Sequence, residues 1–193
     1  MQERSNHFLI EKGCLHGARQ VSSPNFNARP DATDIQLIVI HNISLPPAQF
    51  GGGYIEDFFQ NRLDHHQHPY FKHIEGLKVS AHLVILRTGE VIQCVNLNDR
   101  AWHAGRSSYL GRPECNDYSI GIELEGCDHL PFERIQYTVL SKVVACLQAY
   151  YPQIQQHLAG HSDIAPIRKT DPGPCFDWIH FRNLVSKEKS NHC

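Results

Sequence analysis

The sequence predicts one domain of mixed strands and helices, of the α/β or α+β class, built around a mixed sheet. Three observations lead there: a length of 193 residues, about one domain's worth, several short apolar runs of strand character, and one long helical stripe near residues 132–151. With 41% hydrophobic and 20% charged residues, the chain can bury a core.

Residues 35–41 read IQLIVIH, a nearly continuous apolar run rich in β-branched side chains. That composition suits a central strand covered on both faces, here ending at His41. Residues 80–87 and 90–96 are two further runs, parted by Thr88 and Gly89, a break that suits a hairpin. Residues 119–125 alternate, with Ile120, Ile122 and Leu124 on one face and Gly121, Glu123 and Glu125 on the other, so one strand face is expected to be polar. Ile135, Val139, Leu140, Val143, Val144, Leu147 and Tyr151 follow the spacing of a buried helical stripe, which Pro152 ends. Weaker helical signals cover residues 54–63 and 178–185. Residues 64–72 and the proline-rich stretch 164–175 read as loops.

The formal net charge of −2 lacks the basic excess that phosphate-backbone binding needs, so no nucleic acid is expected as a partner. Residues 1–11 have neither the apolar centre of a signal peptide nor a membrane span, which points to a cytoplasmic chain without a membrane partner. Seven cysteines, odd in number and without a C-x-x-C pair, fit reduced thiols in the same compartment.

Fourteen histidines stand out, because imidazole is the commonest metal ligand. His41 alone fits a structural residue at a strand end. A second segment, GHSDIAPIRKTDPGP at 160–174, sets His161, Lys169 and Asp171 among prolines in a polar loop. Two histidines and one carboxylate make a common catalytic zinc set with the fourth position open to water. Cys175 could replace Asp171 as third ligand, since zinc accepts thiolate too. A rival set crowds His65, His66 and His68 near His73, although adjacent loop histidines are usually solvated. Glu123 and Glu125 could instead be the carboxylate pair of a glycoside hydrolase. Lys169 stands two residues before Asp171, so in an extended loop both side chains point one way and the ammonium could stabilise an oxyanion. Trp102 and His103, in RAWHAG at 100–105, read as a pocket wall.

Five segments in order carry a resemblance: VIHNISLPP at 39–47, VSAH at 79–82, RAWHAG at 100–105, SIGIELEG at 119–126 and the 160–174 segment. From about residue 15 to 185 the chain resembles the AmpD family, zinc amidases of the peptidoglycan-recognition superfamily that cleave anhydro-N-acetylmuramyl-L-alanine in cytoplasmic peptidoglycan recycling. The resemblance implies one zinc amidase domain spanning residues 1–193, of α/β class, with a central mixed sheet flanked by helices. It implies His41, His161 and Asp171 as ligands of a single zinc ion per chain, Glu123 as general base and Lys169 as the residue that stabilises the transition state. In this family Asp serves as third ligand where phage and eukaryotic relatives use Cys, which favours Asp171 over Cys175. Asn42, Lys78, Trp102, His103 and Arg112 are the implied substrate contacts. Lys78 and Glu114 stand where some relatives carry arginines near the stem peptide. The expected partner is a small muropeptide, the expected state a monomer, and an indirect effect on β-lactamase induction follows from the recycling role. The alternative is a muropeptide-binding module without activity, against which the complete ligand set argues.

Overall fold

The computed structural model describes residues 8–190. Its centre is a sheet of six strands: β1 (Arg19–Gln20), β2 (Leu37–Ile43), β3 (Leu83–Ile85), β4 (Val91–Gln93), β5 (Ser119–Glu125) and β6 (Leu158–Gly160). The spatial order is β6-β2-β5-β3-β4-β1. β6, β2, β5 and β3 run parallel to their neighbours, β4 is antiparallel to β3, and β1 is parallel to β4. The sheet is therefore mixed, as the sequence predicts. Short two-stranded ribbons lie around it, Leu9–Glu11 with Cys14–His16 among them.

Parallel strands buried on both sides need apolar residues at alternate positions facing each layer. Ile38, Ile40, Ile120, Ile122 and Leu124 face α2 (Arg134–Tyr150) and α4 (Trp178–Ser190), packing with Val139, Leu140, Val143 and Phe181. On the other face, one small cluster forms around Leu37, Val39 and Ala159, and another around Val84, Ile92 and α1 (Tyr54–Phe59). The central positions between those clusters are polar.

Helix α2 starts where Glu133 and Gln136 cap each other, and Gln136 also donates to the carbonyls of Ile85 (3.2 Å) and Glu125 (3.0 Å). That inward turn of Gln136 leaves its neighbour Ile135, expected in the buried stripe, 46% exposed. At the start of α4, Asp177 Oδ1 accepts from the backbone N–H of His180 at 2.8 Å.

Several boundaries differ from expectation for identifiable reasons. β2 runs two residues past His41, because pairing with β5 continues through Ile43 and the Gly126 N–H reaches the Ile43 carbonyl at 2.9 Å. β3 and β4 form the expected hairpin but are three residues each, since the N–H groups of both Cys94 and Val95 turn to the His82 carbonyl, at 2.9 and 3.4 Å. α1 stops at Phe59, near Asn61 with its positive φ of 58°, rather than reaching residue 63. Residues 64–72, expected as loop, include most of a 3-10 turn at Pro69–Ile74, whose first free N–H, that of Tyr70, is taken by His68 Nδ1 at 3.1 Å. The polar face of β5 is itself buried: all seven of its residues are covered.

Candidate metal and catalytic site

The register of β2 against β5 sets His41 directly beside Glu123. On the other side of β2, Gly160 of β6 pairs with Ile40, so the chain leaves β6 at the level of His41 and begins the short helix α3 (His161–Ile164) with His161. A 120-residue gap in sequence is thus closed by adjacent strands. The loop carrying Asp171 is drawn in by the Ser162 N–H to Asp171 carbonyl bond, 2.9 Å, and passes so close to β6 that a Cβ at Gly160 would lie 2.8 Å from Pro172 Cδ.

Three donor atoms converge. His41 Nδ1 lies 2.9 Å from His161 Nδ1 and 3.1 Å from Asp171 Oδ2, and His161 Nδ1 lies 3.0 Å from the same oxygen. Among the described residues this is the group of histidine, cysteine and carboxylate donors able to hold a metal. The site fits a zinc ion. Donors of a tetrahedral zinc with bonds of about 2.0–2.1 Å stand about 3.3 Å apart, close to what is seen. His161 Nε2 faces the Ala104 carbonyl at 3.1 Å, which only accepts, so the ring's proton sits on Nε2 and its bare Nδ1 points into the cluster.

Burial, outweighing the nearby Asp171 carboxylate, pushes His41 down to about 4. Burial alone would raise the Asp171 carboxyl, but its close contacts with His161 and His41 outweigh it and hold Asp171 well below the usual carboxylate range. Both imidazoles and the carboxylate present lone pairs to one point, as a divalent cation requires.

Glu123 is 9% exposed, and its Oε2 has no hydrogen-bond partner among the described residues. Burial, then the neighbouring Asp171 charge, raises its pKa well above the ordinary value, while Lys169 pulls it back. A carboxylate so raised is a stronger base than a solvated one. Lys169 acts electrostatically on Glu123 and His41 alike. Glu125, two residues on, accepts from the backbone N–H groups of Gly51 (2.5 Å) and Arg87 (3.0 Å), so it secures loops and is not free to pair with Glu123 as a glycosidase would require.

Of the expected substrate contacts, Asn42 donates to Asp128 Oδ1 (2.7 Å) and to the Pro172 carbonyl (3.1 Å). Trp102 Nε1 donates to Asn27 Oδ1 at 2.7 Å. His103 is buried behind His41, its Nδ1 2.9 Å from His41 Nε2. Arg112 pairs with Asp34 and lies 3.9 Å above the Tyr118 ring. Lys78 borders a cavity of about 160 Å³ with Phe58, Leu63 and His65. Cys175 is outside the donor group, and so is the histidine loop, where His65 Nδ1 meets the Phe71 carbonyl at 3.0 Å and His68 caps a turn.

Sequence reasoning missed the groups that tie the loops over this face. Arg29, 6% exposed, donates to the carbonyls of Asn116, Asp117, Leu97 and Ser119, and burial lowers its pKa to about 10. His82 accepts from the Gly121 N–H at 2.9 Å and meets the Asp99 carbonyl at 3.0 Å. VSAH at 79–82 was the only available signal, and it does not say where the ring points. A larger groove of about 900 Å³, between Phe8–Ile10 and the end of α2, is lined by no carboxylate or imidazole among the described residues. None of the described helices is long and apolar enough to cross a membrane.

Residues 31–174 match the model of the N-acetylmuramoyl-L-alanine amidase family, Amidase_2. The 1,6-anhydro-N-acetylmuramyl-L-alanine amidase AmpD of Escherichia coli K12 is 54% identical over 180 residues, which is 93% of this chain and 98% of that protein. A crystal structure of a selenomethionine AmpD derivative superposes with a TM-score of 0.90 at 52% identity, covering 92% of this chain and 99% of the other. The E. coli amidase AmiD, in complex with the substrate anhydro-N-acetylmuramic acid-L-Ala-D-γ-Glu-L-Lys, superposes with a TM-score of 0.57 at 26% identity, over 92% of this chain and 65% of AmiD.

Proposed function

Because the chain belongs to the N-acetylmuramoyl-L-alanine amidase family and is therefore an amidase of muramoyl-L-alanine bonds, we propose that it works as a zinc enzyme on anhydromuropeptides. The observation that carries the metal is the convergence of two imidazole nitrogens and one carboxylate oxygen within 3.1 Å of one another. The substrate class is supported by the 54% identity to a 1,6-anhydro-N-acetylmuramyl-L-alanine amidase across almost its whole length.

His41, His161 and Asp171 hold the ion, one per chain. Zinc so bound supplies a Lewis acid that lowers the pKa of a water molecule toward about 7 and polarises a carbonyl. Glu123, with one carboxylate oxygen free of partners among the described residues, takes a proton from the attacking water and delivers it to the departing nitrogen of L-alanine. Lys169 offers positive charge to the oxyanion that develops on the scissile carbonyl. The bond from carbonyl carbon to nitrogen breaks, leaving the lactyl carboxylate of the anhydro sugar and a peptide with a free amine. Trp102 and Lys78 take the substrate's outer parts, while Asn42 steadies the Asp171 loop through Pro172. Arg112, paired with Asp34 ahead of β2, is given no substrate contact in this reading. The enzyme is a cytoplasmic monomer meeting a small-molecule substrate and serving peptidoglycan recycling. Six described cysteines, all free thiols, are consistent with a reducing compartment.

The test is incubation of the purified protein with anhydro-N-acetylmuramic acid-L-Ala-D-γ-Glu-L-Lys, followed by mass spectrometry. Free tripeptide and free anhydro sugar are expected, with loss of activity on chelation and return with zinc. Binding without cleavage would make the chain a recognition module, and full activity after exhaustive metal removal would overturn the zinc reading.

A further inference from the structure

The two histidines of the metal cluster are backed differently. His161 leans on a plain backbone carbonyl, that of Ala104. His41 stands in the second strand of the sheet, where neighbouring backbone groups are spent on strand pairing, so an acceptor for its outer nitrogen has to come from a side chain above the sheet. His103 fills that place. Its ring lies edge-on to His41 with centroids 5.0 Å apart, in space that exists because residue 121 is glycine, where a Cβ would fall 2.4 Å from the His103 Cγ.

The direction of the hydrogen bonds can be read from the outer end inward. The Cys115 carbonyl only accepts, and Ser119 Oγ lies 2.5 Å from it, so the hydroxyl proton points there. At its other contact, His103 Nε2 at 3.2 Å, Ser119 Oγ must then accept, and His103 Nε2 carries a proton. His103 is buried, and its ring nitrogens contact a hydroxyl and an imidazole with no carboxylate, so the ring is neutral and Nδ1 is bare. Nδ1 accepts from His41 Nε2 at 2.9 Å, which leaves His41 Nδ1 bare and facing His161 and Asp171.

We propose that His103, backed by Ser119 and the Cys115 carbonyl, is a positioning residue that sets the tautomer and ring orientation in which His41 meets the metal. The segment that supplies it also supplies the Ala104 carbonyl for His161, and one side chain secures both: Asn116 Oδ1 accepts from the N–H groups of His103 (3.1 Å) and Ala104 (2.8 Å). Residues 103–104 thus form a saddle that orients both imidazole ligands. The proposal rests on the reading of His41 as a zinc ligand.

Zinc affinity by chelator competition, and the imidazole nitrogen shifts of the metal-free protein by NMR, test it on three variants of the full chain. In the parent, His41 should show the Nε2–H tautomer before any metal is added. His103→Phe keeps the ring's bulk but no acceptor, and should lower zinc affinity about 10- to 100-fold and mix the His41 tautomers. His103→Asn restores an acceptor near the Nδ1 position and should recover most of that loss. Ser119→Ala removes one buried hydroxyl and should free His103 to populate its Nδ1–H form. Unchanged affinity in His103→Phe, or equal losses in the Phe and Asn variants, would reduce His103 to a space-filler and overturn the proposal. If His103→Phe does not fold, Ser119→Ala decides: an unchanged His103 tautomer overturns the relay. A parent with the expected tautomer but no zinc affinity would sink the zinc reading and leave the relay standing.

Discussion

The two faces of the central sheet are built from the same strands and are both buried, yet they are held by different forces. Toward α2 and α4, Ile38, Ile40, Ile120, Ile122 and Leu124 are each 0% exposed and need only complementary volume. On the other face, His41 (1%), His82 (0%), Glu123 (9%) and Glu125 (4%) are as buried, and each polar atom there needs a partner. Most have one. Glu125 receives two backbone N–H groups, and His82 is matched at both ring nitrogens. Glu123 Oε2 has none among the described residues, and an unmet buried acceptor costs about 1–3 kcal/mol. The difference teaches where the fold gives up stability: at the carboxylate to which the proposed mechanism assigns the proton transfer.

The largest effect expected on the polar face comes from Asp171→Ala, which should empty the metal site and reduce hydrolysis to background, whereas Cys175→Ser should retain zinc. Zinc content of the two purified variants checks this; metal lost only from the Cys175 variant would redraw the ligand set.

A crossed pair sharpens the comparison. Glu123→Gln should cut turnover about 10²- to 10⁴-fold with zinc retained and stability undiminished, since the amide no longer buries an unpaired carboxylate. Ile122→Ala, one residue away on the other face, should instead cost about 2–5 kcal/mol of stability while the folded fraction keeps its turnover. Urea unfolding beside steady-state kinetics reads both, and a stability loss in the Glu123 variant matching that of the Ile122 variant would erase the distinction between the faces.

The smallest effect is in pH dependence. Burial, helped by the nearby Arg29 charge, lowers His82 from 6.5 to about 3. Between those values the unfolded chain binds a proton that the folded chain refuses, so the contribution is complete above pH 6.5 and is lost as pH falls toward 3, by at most about 1.4 kcal/mol per pH unit. His41, lowered to about 4, has the same sign in the metal-free protein. Glu123, raised, has the opposite sign: its contribution is complete below the ordinary carboxylate range and is lost as pH climbs through its raised value. Denaturant midpoints of the metal-free protein from pH 4.5 to 6.5 should rise with pH, and less steeply in His82→Gln. A flat profile in the parent would mean that the imidazoles are not neutral in the folded chain.

The amino-acid sequence determined what is repeated locally. The alternation at 119–125 located β5 to the residue, the β-branched run located β2 within two residues, and the 3.6-residue stripe located α2, because side-chain periodicity is dictated by backbone geometry. The motifs from residue 39 to 174 also identified the family and, through it, the candidate ligands. The two- and three-residue strands Arg19–Gln20 and Leu9–Glu11 left no such trace, being too short to show a period. Only the tertiary structure decided which polar residues share a site. Glu123 and Glu125 are alike in sequence pattern and lie on one strand face; what separates them is that the N–H groups of Gly51 and Arg87 reach one and not the other. Likewise His103 sits beneath His41 rather than in a pocket wall because Gly121, on a different strand, leaves room for its ring. Such contacts join residues far apart in the chain, so no local pattern encodes them, and the fold alone brings their partners together.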